Sequence, residues 1–181
     1  GLATDPTNGE HYVIMKVSGV SGRVLGKMNI QTGVCTQVGN LGTNFATLAF
    51  NANGTLFGVT GNGATPPETM FRINKATAAK TLFRTLGAGA DGEIIAFCPD
   101  NNKFYHWSGN GTVVWERMDT TGSDVIQGLT YSGTPGGETF GALYIGSGQF
   151  LVSNISSNFK IWDTSGNISG SLSSNPDYIR G

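Results

Sequence analysis

A pattern that returns every 46 or 47 residues constrains this chain more than anything else in it. Gly1-Leu2-Ala3-Thr4-Asp5, Thr47-Leu48-Ala49-Phe50-Asn51, Ile94-Ile95-Ala96-Phe97-Cys98 and Gly141-Ala142-Leu143-Tyr144-Ile145 align on the anchors Ala3, Ala49, Ala96 and Leu143. After each anchor come a polar turn and a second apolar run: Asn8-Gly9 before His11-Tyr12-Val13-Ile14, Asn53-Gly54 before Leu56-Phe57-Gly58-Val59, Asn101-Asn102 before Phe104-Tyr105-His106-Trp107, and Ser147-Gly148 before Phe150-Leu151-Val152. Two short apolar runs joined at an Asn-Gly type of corner read as a β-hairpin.

A third run follows in every unit and ends in a Thr/Gly turn, as in Lys27-Met28-Asn29-Ile30-Gln31-Thr32-Gly33, Arg72-Ile73-Asn74-Lys75-Ala76-Thr77-Ala78, Arg117-Met118-Asp119-Thr120-Thr121-Gly122 and Ile161-Trp162-Asp163-Thr164-Ser165-Gly166. Ala78 departs from the pattern where the other units have glycine. A fourth run, such as Val34-Cys35-Thr36-Gln37-Val38 or Lys80-Thr81-Leu82-Phe83, completes each unit. No segment offers glycine-free apolar spacing of three and four over ten residues, so no helix is expected. The fold class is therefore all-β and β-propeller-like, with four repeats of about 47 residues and four antiparallel strands in each. The units run over about 1–43, 44–89, 90–137 and 138–181 and read as one domain.

Tyr178-Ile179-Arg180-Gly181 continued into Gly1-Leu2-Ala3 resembles Phe45-Ala46-Thr47-Leu48-Ala49. Three arrangements accommodate this: a four-bladed ring closed by its own ends, a homodimer completing one ring of eight blades, or a segment of a longer array. Closure removes exposed sheet edges and is favoured.

The stretches Leu48-Ala49-Phe50-Asn51-Ala52-Asn53-Gly54-Thr55-Leu56-Phe57-Gly58-Val59-Thr60-Gly61 and Phe71-Arg72-Ile73-Asn74-Lys75-Ala76-Thr77 resemble repeats of large secreted bacterial proteins, whose pattern is of the form LAFdpnGtLYGvtg followed by LyrIdpaTGaat. Asp91-Gly92-Glu93-Ile94-Ile95-Ala96-Phe97 and Tyr105-His106-Trp107-Ser108-Gly109-Asn110-Gly111 resemble the segment that follows in them, and the likeness extends over all four units. The resemblance implies a β-propeller-like module at the cell surface or outside the cell, of no settled activity. It carries over no catalytic residue, and any signal segment lies outside this chain.

Charged residues make up 13% of the chain, the net charge is −1, and the 11 basic residues are scattered. Nucleic-acid binding needs clustered cations to neutralise phosphates, so no nucleic-acid partner is expected. No apolar run is long enough to span a membrane. The expected partner is a protein or a glycan. The two cysteines, Cys35 and Cys98, fall at non-equivalent places of the repeat and read as two buried thiols.

Candidate chemistry is sparse. Glu93, Asp91 and His106 are the catalytic candidates of a carbohydrate-active hydrolase or lyase, because two carboxylates stand just before the inner strand of the third unit. Tyr105, His106, Trp107 and Asn110 are the ligand-binding candidates, since the third unit is the most unusual copy and sets a polar aromatic cluster in its second run. His11 and His106 lack metal-ligand spacing, and neither a metal nor another cofactor is expected. Calcium at Asp5, Asn51 and Asp100 is disfavoured by too few acidic ligands. The sequons at Asn53, Asn110, Asn154 and Asn167 read first as turns. Without a nucleophile elbow, a phosphate loop or a Cys/His pair, the leading expectation is a non-enzymatic binding module, with a carbohydrate-active enzyme and a structural spacer as alternatives.

Overall fold

The structure, a computed structural model, describes residues 1–86, 93–109, 113–156 and 158–173. Asp91 and Asn110 lie outside the described residues. All named elements are strands, and they form four antiparallel four-stranded sheets, as the repeat predicts. The chain divides into two compact units, Gly1–Leu86 and Gly87–Gly181, each holding two sheets.

In the first unit, sheet 1 comprises β1 (Leu2–Thr4), β2 (His11–Met15), β3 (Val24–Met28) and β4 (Cys35–Asn40), and sheet 2 comprises β5 (Phe45–Phe50), β6 (Leu56–Thr60), β7 (Thr69–Ile73) and β8 (Lys80–Thr85). Both are simple meanders, each strand pairing with the next in sequence. Every residue of β6 is buried, so this strand reads as an unbroken apolar run rather than an alternation, as a strand covered on both faces should. The outermost strands β4 and β8 are polar and exposed, which blunts the sheet edges. Exposure of β4 corrects one expectation: Cys35 is an exposed thiol on that edge, and only Cys98 is buried; both are free.

The core of this unit lies between its two sheets. Tyr12, Leu25 and the partly buried Ala3 and Ile14 of sheet 1 meet Leu48, Phe50, Leu56, Phe71 and Ile73 of sheet 2. The registers Leu2↔Val13 and Leu48↔Gly58 make the alternation explicit. Sheet 1 turns the face bearing its anchor Ala3 inward, and sheet 2 turns inward the face opposite its anchor Ala49. Asp5, fully buried after β1, fastens the two sheets: Lys75 Nζ of sheet 2 lies 2.5 Å from its Oδ2, and Thr7 donates its N–H and hydroxyl to Oδ1 at 2.9 and 2.6 Å.

Gly54, at the corner between β5 and β6, approaches this fastening closely. Its φ is +77°, and a Cβ there would lie 2.9 Å from Asp5 Oδ1 and from the Thr7 methyl. Backbone strain and collision with a buried carboxylate act in the same direction. Gly54→Ala is expected to destabilise the protein by about 2 kcal/mol in denaturant titration; a midpoint equal to that of the wild type would refute the strain argument. Ala78, where the repeat otherwise has glycine, adopts φ +61° and is buried in the same core. Burial of its methyl offsets a left-handed cost of similar size.

In the second unit, sheet 3 comprises β9 (Ile94–Cys98), β10 (Lys103–Ser108), β11 (Val114–Asp119) and β12 (Gln127–Gly128), and sheet 4 comprises β13 (Thr139–Gly146), β14 (Gln149–Asn154), β15 (Asn158–Asp163) and β16 (Ile168–Ser173). The packing repeats that of the first unit. Ala96, Tyr105, Trp107 and Trp115, on the anchor face of sheet 3, meet Ala142, Tyr144, Phe150, Val152 and Trp162, on the face of sheet 4 opposite its anchor Leu143. Asp100 joins the two sheets, its Oδ2 accepting the Gly148 N–H at 2.8 Å.

Candidate functional site

Most catalytic and binding candidates of the sequence fall in sheet 3, and the hairpin geometry decides which of them meet. Within β10 the side chains alternate: Tyr105 and Trp107 point into the aromatic core, whereas Phe104, His106 and Ser108 share the other face. His106 pairs directly with Ile95 on β9 and with Glu116 on β11. Because Trp107 pairs with Ile94, the residue just ahead of β9, Glu93, comes opposite Ser108. The result is a polar cluster on the face of sheet 3 away from the aromatic core, edged by the buried Ile95, Phe104 and Met118.

Its bonds are short and complete. His106 Nε2 lies 2.7 Å from Glu93 Oε2, His106 Nδ1 lies 3.1 Å from Glu116 Oε2, and Ser108 Oγ donates to Glu93 Oε1 at 2.7 Å. The side chains of His106 and Glu93 are wholly buried, and that of Glu116 is 10% exposed. Both ring nitrogens face carboxyl oxygens, and with both glutamates ionised each nitrogen donates, the imidazolium form that these contacts favour. Burial alone would lower the pKa of His106, but hydrogen bonds and charge from Glu116 and Glu93 outweigh it and hold the value above that of an ordinary histidine.

The arrangement limits the chemistry. The imidazolium has no lone pair left to take a proton from Ser108, whose hydroxyl is in any case turned to Glu93, so the relay of a serine nucleophile is not assembled. The two carboxylates sit at opposite nitrogens of one ring and do not converge with it on a single ion. Among the described residues no group of three His, Cys, Asp or Glu side chains could hold a metal.

Glu116 is the member that the sequence reading missed, although a signal was there. The structural registers make His106 and Glu116 the counterparts of Gly58 and Phe71 in sheet 2. A carboxylate at a position where the repeat has a core phenylalanine marks a buried partner in need of a counter-charge.

The remaining candidates and the tryptophans around them divide between core and surface. Tyr105, Trp107, Trp115 and Trp162 are buried together, with Trp107 and Trp162 edge to face at 6.0 Å between centroids. Asp5 and Asp100 are engaged in the fastenings described above, and Asn51 Oδ1 accepts the Thr55 N–H at 2.9 Å. Asn154 is fully buried and donates to Pro135 O and Asn158 Oδ1, whereas Asn53 serves its turn by bonding Thr55. His11, on β2, bonds Thr4 Oγ1 at 2.8 Å and lines a groove of about 620 Å³ on sheet 1. Glu10, Lys27, Asn29, Gln31 and Thr36 supply the polar wall of that groove, and Ile30 and Val34, 54% and 61% exposed, its apolar one. Glu10 and Lys27 form an ion pair with each other.

No family model and no curated protein matches the sequence. A solved structure from Bacteroides thetaiotaomicron VPI-5482, a structural genomics protein of unknown function, superposes with a TM-score of 0.67 at 15% identity over 90% of this chain. The likeness shows the fold alone. The chain spans 44% of that protein's length. The fold is thus β-propeller-like, and a fold of this kind fixes no activity by itself. No helix among the described residues is long and apolar enough to cross a membrane.

Proposed function

We propose that this chain is a non-enzymatic binding module of an extracellular or cell-surface protein, and that it takes a neutral glycan in the groove on sheet 1. The groove carries the proposal: its wall presents amide and hydroxyl groups from Asn29, Gln31 and Thr36 beside the apolar Ile30 and Val34. Sugars offer the matching surfaces, hydroxyls at the rim of the ring and C–H groups on its face. The one cation there is already paired with Glu10, which disfavours an anionic ligand. Placement outside the cell is supported by the resemblance of the repeats to those of large secreted bacterial proteins. The low charge of the chain is consistent with that setting.

The reading of a carbohydrate-active enzyme loses support from the same geometry. Both oxygens of Glu93 are occupied by His106 and Ser108, and the side chain is sealed from solvent.

Screening on a glycan array followed by titration calorimetry tests the proposal. Gln31 and Thr36 are both exposed, and Gln31→Ala combined with Thr36→Ala is expected to weaken the selected glycan about tenfold, the loss of two hydrogen bonds at roughly 0.7 kcal/mol each, with the melting temperature unchanged. An array without a hit, or a glycan indifferent to both substitutions, would sink it.

A further inference from the structure

Within each unit, one sheet presents its anchor face and the next sheet covers it with the opposite face. Each sheet carries both halves of this interface, and among the described residues the anchor face of sheet 4 and the opposite face of sheet 1 keep large apolar side chains exposed. On sheet 4 the anchor face holds the cross-strand row Leu143, Leu151 and Ile161, with Phe159 beside it. Leu143 is 63% exposed, the neighbouring Ile145 46%, and Leu151, Phe159 and Ile161 are only half-buried. On sheet 1 the face opposite the anchor holds the row Leu2, Val13 and Gly26, with Met15 and Met28 beside it. Leu2 is 51% exposed, and Val13, Met15 and Met28 are half-buried.

The sheet 1 row is the structural counterpart of Leu48, Gly58 and Phe71 in sheet 2, which pack against sheet 1 in the first core. A glycine holds one place in each row, and side chains of the same sheet fill the space over it: Met15 over Gly26, Phe45 and Ile73 over Gly58. The apolar face of sheet 4 is the counterpart of the face that sheet 1 turns into the first core, and the row on sheet 1 is the counterpart of the one that covers it there. Apolar faces of this extent do not stay uncovered in water without consequence.

We propose that a second copy of this chain covers it: sheet 1 of one copy docks on sheet 4 of the other, and the two copies close on each other through two such contacts. The contact is heterologous, because unlike faces meet, and it must close or form filaments. Two copies bring eight sheets together, within the range of blade numbers that closed propellers adopt. In the similar solved structure more than half of the chain lies beyond the matched part, so the same fold there is accompanied by additional chain.

Light scattering across a wide concentration range reads the proposal. The wild type is expected at twice 18.9 kDa. Leu2→Arg and Leu143→Arg change exposed side chains on the two faces, so each should melt like the wild type and raise the dissociation constant by at least about thirtyfold. Ile145→Arg reports on the same face as Leu143→Arg should that variant fold poorly. Mixing Leu2→Arg with Leu143→Arg leaves one intact contact per pair and should restore part of the dimer, which neither variant forms alone. A wild type that stays at 18.9 kDa throughout overturns the proposal and assigns the face to a further repeat. A dimer that survives Leu2→Arg also overturns it, since that result would mean like faces pairing.

Discussion

Replacing His106 by alanine is expected to cost about 3–5 kcal/mol and to lower the melting temperature by roughly 10 °C or more. The substitution leaves Glu93 and Glu116 facing each other across a void, both nearly or fully buried and without the imidazolium that each now contacts. The cluster need not be a net source of stability for this to hold. Three buried ionisable groups are costly to desolvate, and removal of one partner exposes that cost. Sheet 2 supplies the complementary experiment, because it fills the equivalent places with Gly58 and Phe71. Combining Glu93→Ala, His106→Gly and Glu116→Phe should recover most of the loss. If His106→Ala melted within a few degrees of the wild type, the assignment of a buried imidazolium would be wrong.

The same cluster sets where stability begins to fall on the alkaline side. The pKa of His106 is raised in the folded state, so its contribution is fully present below about pH 6.5, the value for the unfolded chain, and is lost as pH rises through the folded value. The acid side belongs to Asp5, Asp119 and Asp163. Burial would raise each of them, yet hydrogen bonds prevail: from Lys75 and Thr7 on Asp5, from Thr121, Gly122 and Ser123 on Asp119, and from Asn167, Ser165 and Gly166 on Asp163. All three are depressed, so their contribution is present above about pH 3.9 and disappears as pH falls through the folded values. Melting temperature should form a plateau between about pH 4 and 6.5. In His106→Ala the decline that begins near pH 6.5 should vanish, while the acid limb and the decline from the raised Cys98 and Tyr12 at higher pH persist.

How much of this was legible beforehand depends on what each residue answers to. Strand number, strand order and the hairpin corners follow from local rules, namely apolar runs broken by Asn-Gly and Thr-Gly turns, and they appear where the repeat put them. Glu93 and His106 were both singled out, but for the wrong surroundings. Their contact depends on register: Trp107 opposite Ile94 sets Glu93 against Ser108, and a slip of one residue would have turned His106 into the aromatic core. Glu116 escaped notice because a glutamate in a strand is ordinarily read as solvent-facing, and only its equivalence with Phe71 shows that its face is covered. Cys35 failed in the opposite way. It lies in an apolar run, yet that run is the outermost strand of its sheet, where a side chain can face solvent on either side of the pleat. Composition says nothing of such matters, because burial is set by what packs on the sheet.

Trp162→Ala should cost about 3–5 kcal/mol as well, by a different mechanism. Trp162 is fully buried on β15, where its ring packs edge to face on Trp107 and Trp115 and lies 5.1 Å from the Tyr131 ring. It is thus the point at which sheet 4 grips sheet 3. Among the described residues the three indole N–H groups of Trp107, Trp115 and Trp162 have no hydrogen-bond partner. Shape and dispersion among the rings, rather than polar pairing, must hold this core. Truncation opens a cavity among rigid aromatics that cannot collapse to fill it, whereas Trp162→Phe keeps most of the volume and should cost less than half as much. Near-ultraviolet circular dichroism reads this directly, through the signal of the tryptophan cluster. Equal losses for the two substitutions would mean that the indole itself, and not the volume it fills, carries the contact between sheets 3 and 4.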